Sequence, residues 1–417
     1  MPLRDKFILF PETERAEIKV TRIHKRYTKE HINNMDKALL ELIRMSNTVG
    51  KDRLLVQGGG GNTSVKTDDG KYMYIKASGT ALKDMNVKAG WRRVRLDLVL
   101  SIIKDHSIVQ LDTYAREIQI VNRLLLACDD QVAGQARPSV EAHLHGFLDK
   151  CVIHLHPSSV GAYANAKSGR AELEKLFRKE SLPPLWVPYT DPGFMLARRI
   201  SRLVNNYQKQ YGHKPPVMVL EKHGLFISAD SPDAALHLVR EVINRCNRKL
   251  KQPKAGRIKP ASRKTINEIR LCIRRAFFEA TGKSLIVNYF FSKELAAFWQ
   301  QRDAEKMLSG VLTPDELVYA NGPAMWVDRI DKDKIAARLT RQIEKGQKHS
   351  VAFLVKNVGL FIVGKKKIAL TVRDIVIYSL FIRVNAKRMG GILCLNKRQQ
   401  DFINNWEAEA FRKQQVV

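Results

Sequence analysis

The chain has 417 residues, 44% of them hydrophobic, with 72 Lys plus Arg against 42 Asp plus Glu and a formal net charge of +30. That length and composition suit a globular protein with two or three core-forming units and exclude a disordered or fibrous chain. The longest apolar runs, such as "IVIYSLFI" at 375–382, are too short to span a bilayer, and the basic excess lacks the interleaved aromatic residues of a nucleic-acid motif, so neither membrane nor nucleic acid is an expected partner.

Residues 1–28 read as an N-terminal extension, whose four-residue apolar run followed by acids does not make a secretory signal. Cys128, Cys151, Cys246, Cys272 and Cys394 form no CxxC pair, which predicts a reduced, cytoplasmic setting. From about Lys29 to Thr48 apolar residues recur at helical spacing and predict a helix. The stretch "RLLVQGGGGNTSVKTDDGKYMYIKAS" then alternates short strand-like runs with turns, and "TDDG" predicts a hairpin. The glycines Gly58 to Gly61 suit backbone that needs positive φ or close approach to a ligand. Asn62, Thr63, Ser64 and Lys66 follow them, and a second loop, "IKASGTAL", offers Lys76, Ser78, Gly79 and Thr80. Each loop reads either as a glycine turn or as a nest of backbone amides for phosphate.

A helix-like stretch follows in "RPSVEAHLHGFL". Its Glu141 reads either as a first-turn glutamate complementing the helix dipole or as a proton shuttle beside a cation, if burial raises its pKa. His145 reads as its neighbour one helical turn on. In the strand-like "CVIHLHPSSV" alternate side chains share a face, so His154 and His156 stand together, either as hydrogen-bonded core histidines or as metal ligands. "PVMVLEKHGLFISADSPDAALHLVREVINRCNRKL" predicts strand, turn, strand and a long helix, and adds His223 just before a glycine. Three neutral imidazoles bind Zn²⁺ and leave a coordination position open; Mn²⁺, Co²⁺ and Fe²⁺ also suit them. Short strands with interspersed helices predict an α/β fold with mostly antiparallel neighbours.

"KQPKAGRIKPASRK", residues 251–264, reads as a linker. Beyond it, in residues 265–417, "AFLVKNVGLFIVGKKKIALTVRDIVIYSL" echoes the unit around His223: Gly359 aligns with Gly224, and Val358 stands in place of the histidine. This predicts a degenerate half-copy without a metal site. "GLFIVGKK" also fits G-x-x-x-x-G-K, but Lys366 stands where a phosphate loop needs Ser or Thr, and the intervening residues are strand formers.

In order, "GGGNTS", "KASGT", "RPSVE", "HLHP", "VPYTDPG" and "KHGLF" resemble the class II aldolase/adducin family over residues 29–250, and in particular the aldolase portion of long bacterial rhamnulose-1-phosphate aldolase/alcohol dehydrogenase proteins, without the dehydrogenase part. "GVLTPDELVYANGPAMWV" and "INNWEAEAFRK" continue the resemblance more faintly. It implies α/β/α layers around a mostly antiparallel central sheet, followed by a smaller α/β C-terminal region. It also implies a divalent metal, Zn²⁺ or a similar ion, on His154, His156 and His223, with Glu141 as acid/base. Asn62, Ser78, Gly79 and Ser139 would hold a substrate phosphate, with Val140 where some members have a second serine. Tyr189 would protonate the aldehyde oxygen, commonly in an adjoining subunit's site, which implies a homo-oligomer. The expected activity is cleavage of a sugar phosphate of the ketose 1-phosphate type through a metal-stabilised enediolate. Sugar-phosphate epimerases and 3-oxo-acid decarboxylases of the fold share that chemistry. Adducins keep the fold as interaction proteins and lack the metal histidines.

Overall fold

Asp36 accepts a hydrogen bond from the Ala38 amide at 2.9 Å and so starts helix α1 (Lys37–Gly50), whose Leu39, Leu42, Ile43 and Val49 are buried. The structure is a computed structural model and describes residues 36–130, 136–254 and 259–406. The predicted extension 1–28, the middle of the predicted linker and the end of the "INNWEAEAFRK" motif lie outside the described residues.

After α1 come β1 (Asn62–Lys66) and β2 (Tyr72–Lys76), joined as the predicted hairpin with Ser64 opposite Ile75, and then β3 (Trp91–Arg95). Helices α2 (Leu96–Lys104), α3 (Ser107–Gln110), α4 (Thr113–Leu126) and the short α5 (Ala142–Gly146) lead to β4 (Cys151–Leu155). Next are α6 (Ser158–Ala164), α7 (Gly169–Leu176), β5 (Leu185–Val187), α8 (Phe194–Tyr211), β6 (Val217–Leu220), β7 (Gly224–Ala229) and α9 (Pro232–Lys249). The seven strands form one sheet in the order β3-β2-β1-β4-β7-β6-β5. Every pair is antiparallel except β5 with β6, as the short connections predict. Alternate residues feed opposite layers. Val65, Ile153, Leu155 and Ile227 pack in the cluster that holds α1, α6 and α9, while Met73, Ile75, Val152 and Phe226 face α2, α4, α5 and α8. The result is a mixed α/β fold of three layers.

Ser262 accepts the Thr265 amide and starts α10 (Arg263–Thr281) within the stretch read as a linker. The second region continues with β8 (Val287–Phe290), α11 (Lys293–Trp299), α12 (Ala304–Met307), α13 (Pro314–Ala320), β9 (Met325–Val327), α14 (Lys332–Glu344), β10 (Ala352–Val355), β11 (Gly359–Val363), α15 (Lys366–Arg388) and α16 (Lys397–Asn405). Its four strands run in the order β8-β11-β10-β9, with β9 parallel to β10 and the other pairs antiparallel. This repeats β4-β7-β6-β5, the parallel pair included. Both tight loops turn through a left-handed residue two positions before the glycine, Lys222 (φ 56) and Asn357 (φ 61). Register extends the correspondence: His154 lies opposite Phe226, and Tyr289 opposite Phe361. Tyr289, Phe291 and Val358 therefore occupy the places of His154, His156 and His223, so the copy lacks the three imidazoles.

The apolar run 375–382 lies in α15 and is largely buried. Gly161 lets α6 approach α15 closely, since a Cβ there would meet Ile382 Cδ1 at 2.6 Å. No described helix is long and apolar enough to cross a membrane.

Candidate metal centre

His154 lies within β4 and His156 one residue past its end. β4 pairs with β7 as far as Leu155 opposite Leu225, so the loop before Gly224 brings His223 beside them. One ring nitrogen from each of the three histidines lies within 4.8 Å of the others. His154 Nδ1 donates to the Leu225 carbonyl at 3.1 Å and His156 Nδ1 to Asp315 Oδ2 at 2.5 Å, because neither oxygen can donate. That assignment leaves both Nε2 atoms with bare lone pairs, 3.0 Å apart. Two facing lone pairs repel, and a shared cation relieves both, so the donor set fits a divalent metal. Gly224 makes the approach possible: a Cβ there would fall 2.8 Å from His156 Cδ2 and 3.2 Å from His154 Cε1.

Glu141 stands at the N-cap of α5 and faces the same point. Its Oε2 is 3.7 Å from His154 Nε2 and its Oε1 3.9 Å from His223 Nε2. Asn62, at the start of β1 and opposite His154 in the sheet, donates its amide to Glu141 Oε2 at 2.6 Å. Burial pushes the Glu141 carboxyl up, and the Asn62 amide, which donates to the charged form, opposes it. This differs from the rise toward neutrality that burial alone would give. Burial also keeps the His154 imidazole neutral, far below its ordinary value.

The cavity at this centre measures about 20 Å³ and is walled by Gly61, Val140 and Pro192 together with Pro314, Asp315 and Trp406 from the second region. That is room for roughly one water.

Of the residues expected at a phosphate, Asn62 reaches the cavity. Ser78, Gly79 and Ser139 lie outside it but next to one another. Ala77 bridges Pro138, the Ser78 amide donates to Arg137 O at 2.7 Å, and the Ser139 amide donates to Lys76 O at 2.9 Å. Gly79 takes φ +82, and a Cβ on Gly59 would sit 3.8 Å from its carbonyl, so the two glycine loops adjoin. Lys66 is not available to an anion, because it donates to the carbonyls of His145, Leu148 and Asp149 at 3.0, 2.9 and 2.6 Å. His145 bonds Ser64 and takes no part in the triad. Tyr189 does not line the cavity of its own chain. Its ring packs against the core of the second region, with Lys222 Nζ 5.0 Å from the centroid.

Asp315, Pro314 and Trp406 escaped sequence reading. The only signal for Asp315 was a pair of acids in the apolar run "VLTPDELVYA", which an ordinary first helical turn also displays. A larger groove of about 1260 Å³ lies apart, between α7, α9 and α15. Its Lys175, Arg248, Lys249 and Arg388 sit in the last turns of those helices, where the helix dipole already accounts for positive charge.

The family model described as "Class II Aldolase and Adducin N-terminal domain" matches residues 40–250. The "Uncharacterized oxidoreductase YuxG" of Bacillus subtilis (strain 168) is 25% identical over 340 residues, 77% of this chain and 46% of that protein, so the chain spans about half the length of this curated relative. Among solved structures, the N-terminal class II aldolase domain of a conserved protein from Thermoplasma acidophilum is 26% identical over 52% of this chain and 94% of its own, with a TM-score of 0.42. The L-fuculose-1-phosphate aldolase from Thermus thermophilus is 15% identical over 50% of this chain and 92% of its own, with a TM-score of 0.29.

Proposed function

The chain belongs to the class II aldolase and adducin family, and from that premise we propose that it is a divalent-metal-dependent lyase that cleaves a carbon–carbon bond in a sugar phosphate of the ketose 1-phosphate type. The observation that carries this reading is the pair of bare Nε2 lone pairs on His154 and His156, 3.0 Å apart, with His223 and the Glu141 carboxylate turned to the same point.

His154, His156 and His223 would hold the ion. A divalent cation there would supply Lewis-acid stabilisation to substrate oxygens that gain negative charge as the bond beside the carbonyl breaks. In the bond-forming direction Glu141, ionised and aimed by Asn62, takes the proton off the carbon that will form the bond; in cleavage the proton given up by the substrate hydroxyl reaches this carboxyl, which passes it to the carbon that keeps the bonding pair. Ser78, Gly79 and Ser139 hold the phosphate and keep the reacting carbons in register. Burial raises the Tyr189 phenol, which stays protonated; in the bond-forming direction it would give that proton to an aldehyde oxygen in a neighbouring subunit's site, which its buried hydroxyl reaches only if the ring leaves the core of the second region. A sugar phosphate exceeds the 20 Å³ cavity, so on this reading the wall at Trp406 gives way to admit it while α13 stays docked. The reading includes a cytoplasmic homo-oligomer, supported by the free cysteines and by Tyr114 and Leu126, exposed on α4.

The test is a panel of ketose 1-phosphates offered to metal-free protein, then to protein reloaded with Zn²⁺, Mn²⁺, Co²⁺ or Fe²⁺, with aldehyde release as the readout. Release that needs the ion and stops with chelator supports the proposal. Carbon dioxide from a 3-oxo acid, or an inverted sugar phosphate, would replace the lyase with a decarboxylase or an epimerase. A chain that takes up no ion contradicts all three and leaves the adducin-like reading.

A further inference from the structure

We infer that the metal centre is built by both regions of the chain: Asp315, on α13 of the second region, is the positioning residue that holds His156 in its metal-binding tautomer, so that metal loading and the docking of α13 are linked. The inference rests on the reading of His154, His156 and His223 as ligands.

His154 finds its Nδ1 acceptor, the Leu225 carbonyl, within its own sheet. His156 has passed the end of β4 and has no ladder carbonyl to accept its proton. Its acceptor is a carboxylate 159 residues further along the chain, with both side chains buried. A carboxylate beside Nδ1–H fixes the tautomer, orients the ring and makes Nε2 a stronger donor to a cation.

The surroundings are shaped around this pair. A Cβ on Gly60 would stand 3.1 Å from Asp315 Oδ2 and 3.3 Å from His156 Nδ1, so the third glycine of the run leaves room where the two side chains meet. The residue after Asp315 anchors the helix. Glu316 accepts from Arg383 on α15 at 3.0 Å to each oxygen, and the ion pair is almost completely shielded from solvent. Arg383 also donates to the carbonyls of Met307 and Gly310, at 2.6 and 2.9 Å. α15 packs on α6, whose N-cap is Pro157, the residue after His156. The contacts close a ring from His156 through α6, α15, Arg383 and Glu316 back to Asp315, so the carboxylate meets the imidazole only when the second region is docked.

The experiment uses the full chain, stripped of metal, with Zn²⁺ as probe in competition with a chelator. Asp315→Ala should weaken Zn²⁺ binding about 10–100-fold with the far-ultraviolet circular dichroism unchanged. Asp315→Asn, which keeps an acceptor but loses the charge, should weaken it less, and it carries the test if the alanine variant does not fold. ¹⁵N NMR of the metal-free protein should show His156 protonated at Nδ1 in the wild type and as a tautomer mixture in Asp315→Ala. Hydrogen exchange in residues 313–320 should slow when Zn²⁺ is added to the wild type. Wild-type affinity in both Asp315 variants, or an Nε2-protonated His156 in the wild type, overturns the inference while leaving the triad in place. A wild-type chain that binds no Zn²⁺ overturns the ligand reading itself.

Discussion

The Nε2 atoms of His154 and His156 face each other at 3.0 Å while the Nδ1 of each is engaged elsewhere, by Leu225 O and by Asp315. A dry histidine pair in a core would share a proton between the facing nitrogens. Here both Nδ1 atoms already have acceptors, and this supports the metal reading proposed above against the core reading left open by the strand pattern. His156→Ala should therefore reduce bound divalent metal from one ion per chain to background, with a lowered unfolding temperature, since the buried Asp315 carboxylate loses the imidazole it bonds. Metal analysis of dialysed protein checks this. The same measurement tests the second region: with Tyr289, Phe291 and Val358 in the equivalent places, the wild type should never reach two ions.

Gly224 is a more local test. A Cβ at this position would meet Leu155 O at 2.5 Å and both imidazoles within 3.2 Å. Gly224→Ala should lower metal affinity at least tenfold and cost about 1–3 kcal/mol of stability through overpacking. Chelator competition and urea unfolding read the two effects, and wild-type affinity with unchanged stability would remove the packing argument.

Glu141 reaches the triad at 3.7 and 3.9 Å while its carboxylate is held by Asn62. Glu141→Gln preserves size and loses proton exchange, so turnover should fall about 10²–10⁴-fold with the metal retained. If the variant instead lost its metal, Glu141 would be a ligand.

His143 gives the pH dependence. It is fully buried, and desolvation lowers its pKa from 6.5 to about 4. Between those values the unfolded chain binds a proton that the folded chain refuses, so the neutral ring's contribution is complete above pH 6.5 and is lost as pH falls toward 4. The slope from this group is about 1.4 kcal/mol per pH unit. His145, lowered to about 3 by the same burial, extends the loss further into acid. Urea unfolding of metal-free protein between pH 7 and pH 4 should show this decline, and His143→Leu should flatten it by one proton's worth.

Much of the site was legible in the sequence because it is local. Alternation along β4 puts His154 and His156 on one face, the "KHGLF" turn places a third imidazole at the end of the neighbouring strand, and the "TDDG" hairpin with its glycine loop precedes them. Strand period and turn chemistry act over a few residues, so they can be read without the fold. The tertiary structure decided what depends on packing between distant segments. Lys66 turned inward onto three carbonyls instead of toward an anion, because α5 and the loop after it end against β1. Glu141 came to accept the Asn62 amide, because the sheet sets Asn62 opposite His154 at the start of β1. Asp315 joined His156 because the buried Arg383–Glu316 pair and the close α6–α15 contact hold α13 there. A carboxylate 159 residues away bears no periodic relation to the histidine it serves, and only burial makes that contact strong enough to choose a tautomer.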